Sequence, residues 1–243
     1  MDDAALLAEL RREAAAIAAI QPRDLQASVP SCPGWSVADV VAHTGWIHRF
    51  VTKTIEAQPE SQVRREDVAA GPEDPGQLLA WFAEGAEALA DRLEALDPNH
   101  PVETWRGRQP GRFLIRRMAQ ETAVHRWDAA SGSDSPRPIA ADLAADGIEE
   151  ILEVYVPGRF DFEAFGGAGE TIHLHAVDVA TEWLLTIDAD RFSWHRKPGK
   201  GEASVSGDAS DVLLLLWSRL PPARLDVSGD SGLLDRWQAA ASF

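Results

Sequence analysis

The chain has 243 residues, 45% of them apolar and 26% charged, with a formal net charge of −16. This composition is ordinary for a globular protein of one or two domains, and its acidic balance disfavours nucleic acid or an anionic membrane surface as partner. It contains no run of about 18 apolar residues able to span a membrane, and its single cysteine, Cys32, excludes an intramolecular disulfide or a CxxC pair.

The opening stretch, MDDAALLAELRREAAAIAAI, repeats apolar residues at Leu6, Leu7, Leu10, Ala14, Ile17 and Ala18, which predicts a helix over 2–20. Early acids and no basic segment mark it as an amphipathic helix rather than a signal peptide, so a cytoplasmic location is expected. VPSCPGW reads as a loop broken by Pro30, Pro33 and Gly34. Ser36 then caps a second helix, with Asp39 three residues on, reaching to about residue 57. A polar loop over 58–74 leads to a third helix at about 75–96. The segment 97–111 reads as a long connection, followed by a fourth helix at about 112–131 and a fifth at about 139–155. After Pro157 the texture changes. TIHLHAV, EWLLTID and RFSWHR read as antiparallel strands, GDASDVLLLLWSRL as a capped helix, ARLDVSG as a last strand and SGLLDRWQAAASF as a last helix. Helices first and α+β second predict two domains, with a seam near 155–165.

The fourth helix carries the most informative residues. At about 100° per residue, Leu114, Met118, Glu121 and His125 share one inward stripe. A buried carboxylate and imidazole need partners; they can satisfy each other or share a cation, as inward Glu and His do in helical bundles. A third ligand would come from the second helix, where both His43 and His48 are candidates. On the wheel His48 sits nearer the centre of the apolar stripe and His43 on its flank, and periodicity does not choose between them. Either completes a His2Glu set, common in catalytic zinc sites with an open position. His100 falls in a loop, His173 and His175 share a strand face, and His195 precedes an expected exposed turn, RKPGKG. The chain has no HExxH, GxSxG or Gly-rich phosphate loop. Cys32 reads as a small apolar residue rather than a nucleophile.

Two segments, VPSCPGWSVADVVAHTGWIHRF and RFLIRRMAQETAVHRWDAA, together resemble the N-terminal domain of the mycothiol-dependent maleylpyruvate isomerase family. TIHLHAVDVATEWLLTI and VSGDASDVLLLLWSRLPPARLDVSGD resemble that family's C-terminal domain. The resemblance implies a DinB-like metal-binding four-helix bundle followed by a smaller, sterol-carrier-protein-like α+β domain; with the seam and strands read above, the expected domains are 1–156 and 157–243, the second with an antiparallel sheet. It also implies that the histidine eight residues after the PGW tryptophan, His43, joins Glu121 and His125 as ligands of a divalent metal, usually zinc. The implied cosubstrate is mycothiol, which a metal would keep as thiolate. Family members include isomerases and thiol S-transferases, so either activity on a small electrophilic or unsaturated acid is implied. An Arg of the C-terminal domain is implied to take part, with Arg159, Arg219 and Arg224 as candidates. A thiol-independent metal-dependent hydrolase and a non-catalytic binding protein of the same fold are the alternatives.

Overall fold

The computed structural model describes residues 1–57, 63–132 and 136–241. Parts of the expected loop over 58–74, of the break after the fourth helix and of the last helix's end lie outside the described residues. The chain divides into two compact units, 1–137 and 138–243.

In the first unit α1 (Asp3–Ala18) starts where the Asp2 side chain accepts from the Ala5 N–H at 2.8 Å. α2 (Val37–Glu56) begins at a reciprocal capping box. The Ser36 hydroxyl accepts from the Asp39 N–H, and the Asp39 carboxylate accepts from the Ser36 N–H at 2.8 Å. α3 (Pro75–Ala95) combines a cap by Asp74 with proline in its first turn, where the missing N–H costs nothing. α4 (Arg112–Ala130) completes the bundle. Its main packing pairs are α1 with α4 and α3, and α2 with α3 and α4, so the four helices close a ring. Leu10, Ile17, Val40, Phe82, Leu89, Ile115 and Ala119 fill its centre, essentially without exposure.

Between α3 and α4 the expected connection contains a hairpin, β1 (Pro101–Thr104) with β2 (Gly107–Pro110). Its four-residue strands, bounded by prolines, lack the alternation that marks a strand in sequence. Gly107, at φ +76°, takes the left-handed conformation that closes the turn.

The second unit opens with α5 (Ala141–Glu150), which continues through a π turn (Ile151–Tyr155) into α6 (Val156–Arg159). Pro157 therefore does not end the helical run, because it falls in the first turn of a new helix. α7 (Phe162–Phe165) follows. Five strands then form one sheet: β3 (Glu170–Ala176), β4 (Thr181–Ile187), β5 (Phe192–Arg196), β6 (Ala203–Gly207) and β7 (Asp226–Gly229), in the order β5-β4-β3-β6-β7. α8 (Ala209–Leu216) and α9 (Gly232–Ala240) complete the unit.

Two expectations need correction. The seam falls between Arg137 and Pro138 rather than at 156/157. α5 packs on α8, the Ile139 N–H donates to Ser210 Oγ at 3.0 Å, and Trp183 Nε1 donates to Glu149 at 2.9 Å. A helix belongs to the unit that buries its apolar stripe, and sequence texture does not report that. The sheet is mixed rather than antiparallel, because β6 pairs parallel with β3. The expected exposed turn after His195 is mostly exposed, and residues 197–202 link β5, on one edge, to β6 on the far side of β3. Gly201 is needed there, since a Cβ would lie 2.6 Å from the His173 amide nitrogen and 2.8 Å from the Thr171 carbonyl.

The sheet faces alternate as expected for a half-covered sheet. Ile172, Leu174, Trp183, Leu185 and Val205 are buried on the helix-covered side with α8. Phe160, Phe192 and the fully buried Trp237 form an aromatic group at the α9 end.

Candidate metal centre

The PGW loop and the start of α2 place the first residue of the site. Gly34, at φ +87°, lets the chain turn so that the Trp35 N–H donates to the Cys32 carbonyl and the Val29 N–H donates to the Trp35 carbonyl. The capping box then fixes where α2 begins, and Asp39 is held below the usual carboxylate range by Ser36 hydrogen bonds. Seven residues after the cap, His43 lies with its ring centre 5.2 Å from that of Trp35, edge to face, and its side chain 35% exposed. Cys32 packs at the border of the apolar core, in keeping with its reading as a small apolar residue.

α4 supplies the other two residues. Glu121 Oε1 lies 3.2 Å from His125 Nε2 and 3.5 Å from His43 Nε2. The two imidazoles approach edge to face at 5.0 Å. One donor atom from each of the three residues falls within 4.8 Å of the others, and no other His, Cys, Asp or Glu group among the described residues converges in this way. The other Glu121 oxygen, Oε2, accepts from Arg117 Nη2 at 3.2 Å. At the far end His125 Nδ1 donates to Asp128 Oδ2 at 2.9 Å, and Asp128 is fully buried. The Nδ1–H bond to Asp128 aims Nε2 at the shared space, where it presents a lone pair once its own proton is lost.

These groups polarise one another strongly. Burial alone would raise Glu121, but the His125 charge, hydrogen bonds from both histidines and the Arg117 charge hold it well below the usual carboxylate range. Burial alone would lower His125, but Glu121 and Asp128 lift it to about 9. A strongly shifted acid–base pair beside a buried carboxylate is the pattern that accompanies functional sites.

His48 is not part of the group. It is fully buried, as its central place on the wheel implies, with its ring 5.5 Å from Phe82 and Nε2 2.9 Å from Thr122 Oγ1. Its Nδ1 has no hydrogen-bond partner among the described residues. Burial, with smaller opposing and reinforcing charges around it, lowers its pKa to about 4. It is therefore neutral at pH 7. The wheel thus read burial correctly on both histidines.

The remaining candidates are scattered. His173 Nε2 lies 2.7 Å from Glu182, while His175 Nδ1 reaches only Ser206, at 3.5 Å. Arg159 lies over the Tyr155 ring at 5.7 Å, Arg219 donates to the Trp217 carbonyl at 2.9 Å, and Arg224 closes a short 3-10 turn. Arg117 and Asp128 escaped the sequence reading, although spacings of 4, 4 and 3 put them on the Glu121–His125 stripe.

The donor set fits a divalent cation. Tetrahedral zinc with bonds of about 2.0–2.1 Å sets its ligand atoms roughly 3.4 Å apart. The separations of 3.2 and 3.5 Å bracket that value. Two imidazoles and one carboxylate are a borderline-soft set suited to zinc and its neighbours.

A sequence model described as the mycothiol maleylpyruvate isomerase N-terminal domain matches residues 6–130, and one described as the MDMPI C-terminal domain matches 142–236. No curated protein matches by sequence. Among solved structures, a mycothiol-dependent maleylpyruvate isomerase shares 15% identity, with 94% of this chain and 93% of that chain covered and a TM-score of 0.63. A histidine-to-alanine variant described by the same name gives 14% identity, the same coverage and a TM-score of 0.64. These likenesses carry the fold.

Proposed function

Because the chain belongs to the mycothiol maleylpyruvate isomerase family, we propose that it is a metal-dependent enzyme that uses mycothiol as cosubstrate. It acts on a small electrophilic or unsaturated acid, by isomerisation or by thiol transfer. His43, Glu121 and His125 hold the ion, with zinc the first choice. The observation that carries this reading is the convergence of the three side chains within 4.8 Å, with Glu121 Oε1 at 3.5 Å from His43 Nε2 and 3.2 Å from His125 Nε2. When bound, the ion would supply Lewis acidity that keeps a thiol ionised at neutral pH.

The residues around it divide the remaining work. Asp128 fixes the His125 tautomer, so that Nε2 is the ligating nitrogen. His43 is the most exposed of the three, which puts the approach for small molecules on its side, against the Trp35 ring. No nucleophilic motif or second cysteine competes for the chemistry, so the nucleophile is external. Among the described residues no helix is long and apolar enough to cross a membrane. A mycothiol-using enzyme needs its thiol reduced, and on that ground we place the working protein in the cytoplasm.

The test has two arms. Protein purified without added metal is assayed for metal content beside a His125→Ala variant. The expected result is stoichiometric metal in the parent and its loss in the variant; metal-free parent protein sinks the metal assignment. Turnover of maleylpyruvate and of electrophilic acids is then measured with and without mycothiol. Activity independent of any thiol would overturn the cosubstrate assignment.

A further inference from the structure

α4 carries a row of polar side chains that a helix of this kind would otherwise fill with apolar groups. Arg117, Glu121, His125 and Asp128 lie within roughly an 80° sector by helical geometry. Successive members are 3.2, 3.2 and 2.9 Å apart. The two end members do not face the shared space between the imidazoles. Each ties down the atom of its neighbour that points away from that space: Oε2 of Glu121 for Arg117, and Nδ1 of His125 for Asp128.

We propose that Arg117 is a positioning residue for the metal centre, holding Oε2 of Glu121 so that Oε1 alone is presented between His43 and His125. This rests on the reading of the triad as a metal site. A glutamate's terminal torsion is broad, so an unanchored carboxylate can present either oxygen, both or neither. Arg117 removes that freedom from one helical turn away, with a side chain only 5% exposed. A guanidinium suits the task because it stays charged and has no lone pair with which to compete for the ion.

The same contact sets the charge of the site. A carboxylate already shared with a permanent cation donates less charge to an ion, so the centre favours an anionic incoming group. A thiolate meets that requirement, and a neutral donor meets it less well.

The test is metal binding rather than turnover. Zinc affinity is measured by competition with a chromophoric chelator, and cobalt(II) is substituted to read the coordination geometry by its visible spectrum. This is done for the parent, Arg117→Met and Arg117→Gln. The expected result is an affinity loss of about 10–100-fold in Arg117→Met, with an altered cobalt spectrum. Parent-like affinity overturns the proposal, and so does weakened binding with an unchanged spectrum, since Arg117 would then act only through the fold. Should Arg117→Met fail to fold, the smaller change to Gln is judged by the same two criteria. Absence of zinc binding in the parent is a different outcome, which removes the metal reading itself.

Discussion

Two carboxylates of the first unit, Glu13 and Glu121, have opposite surroundings. Glu13 on α1 is fully buried and meets guanidinium groups: Arg126 from α4, Arg137 at 3.0 Å and Arg12 at 2.9 Å. Glu121 on α4 meets one guanidinium on one oxygen and two imidazoles on the other. Guanidinium groups are donors only, so the Glu13 cluster is electrostatically closed and joins α1 to α4. Imidazoles can give up a proton and present a lone pair, so the Glu121 cluster can exchange its protons for an ion. A buried carboxylate therefore does not mark a metal site; the kind of partner it has does.

That contrast can be broken experimentally. The largest effect is expected at the triad, where Glu121→Gln should weaken zinc binding by well over the roughly 10–100-fold typical of outer-shell changes. Direct metal analysis checks this, and stoichiometric zinc in the variant would refute the assignment. Glu13→Gln should do the converse. It removes a counter-charge from the buried Arg126 and should cost about 3–5 kcal/mol of stability, while metal binding per folded molecule is unchanged. Urea unfolding together with metal analysis separates the two, and a loss of metal from folded Glu13→Gln protein would erase the distinction.

A third effect comes from His48, whose folded pKa of about 4 lies below its ordinary 6.5. Between those values the unfolded chain binds a proton that the folded chain refuses, so stability falls as pH falls through that window. The expected loss is about 3 kcal/mol by pH 4, with no contribution above about pH 7. Unfolding midpoints of the parent and His48→Gln, compared from pH 4 to 8, should diverge only on the acid side. Parallel curves would contradict the assignment. The smallest effect is expected at the α2 cap, where Ser36→Ala should cost about 1 kcal/mol and be visible as a lowered Tm.

Much of this architecture is legible in the sequence. The helix stripes, the PGW loop, the Ser36 cap and the inward direction of Glu121 and His125 all follow from local periodicity and turn chemistry. The membership of α5 in the second unit was not legible, because it depends on α8 and Trp183, which are distant in the chain. Nor was the parallel β3–β6 pair, since strand order is set by where a crossing segment lands rather than by the strand's own pattern. The β1–β2 hairpin was hidden by the shortness of its strands.

The two histidines of α2 show where the division falls. Their own helix determined how deeply each is buried: His48 in the core and His43 at the flank, as the wheel implied. Which of them meets Glu121 was decided by how α2 and α4 rotate and cross within the bundle, and that is a property of two helices packed together. A period of 3.6 residues specifies the face a residue occupies on its own helix. Only tertiary packing specifies which residue of another helix stands opposite, and here it set His43 against Glu121 and left His48 against Thr122.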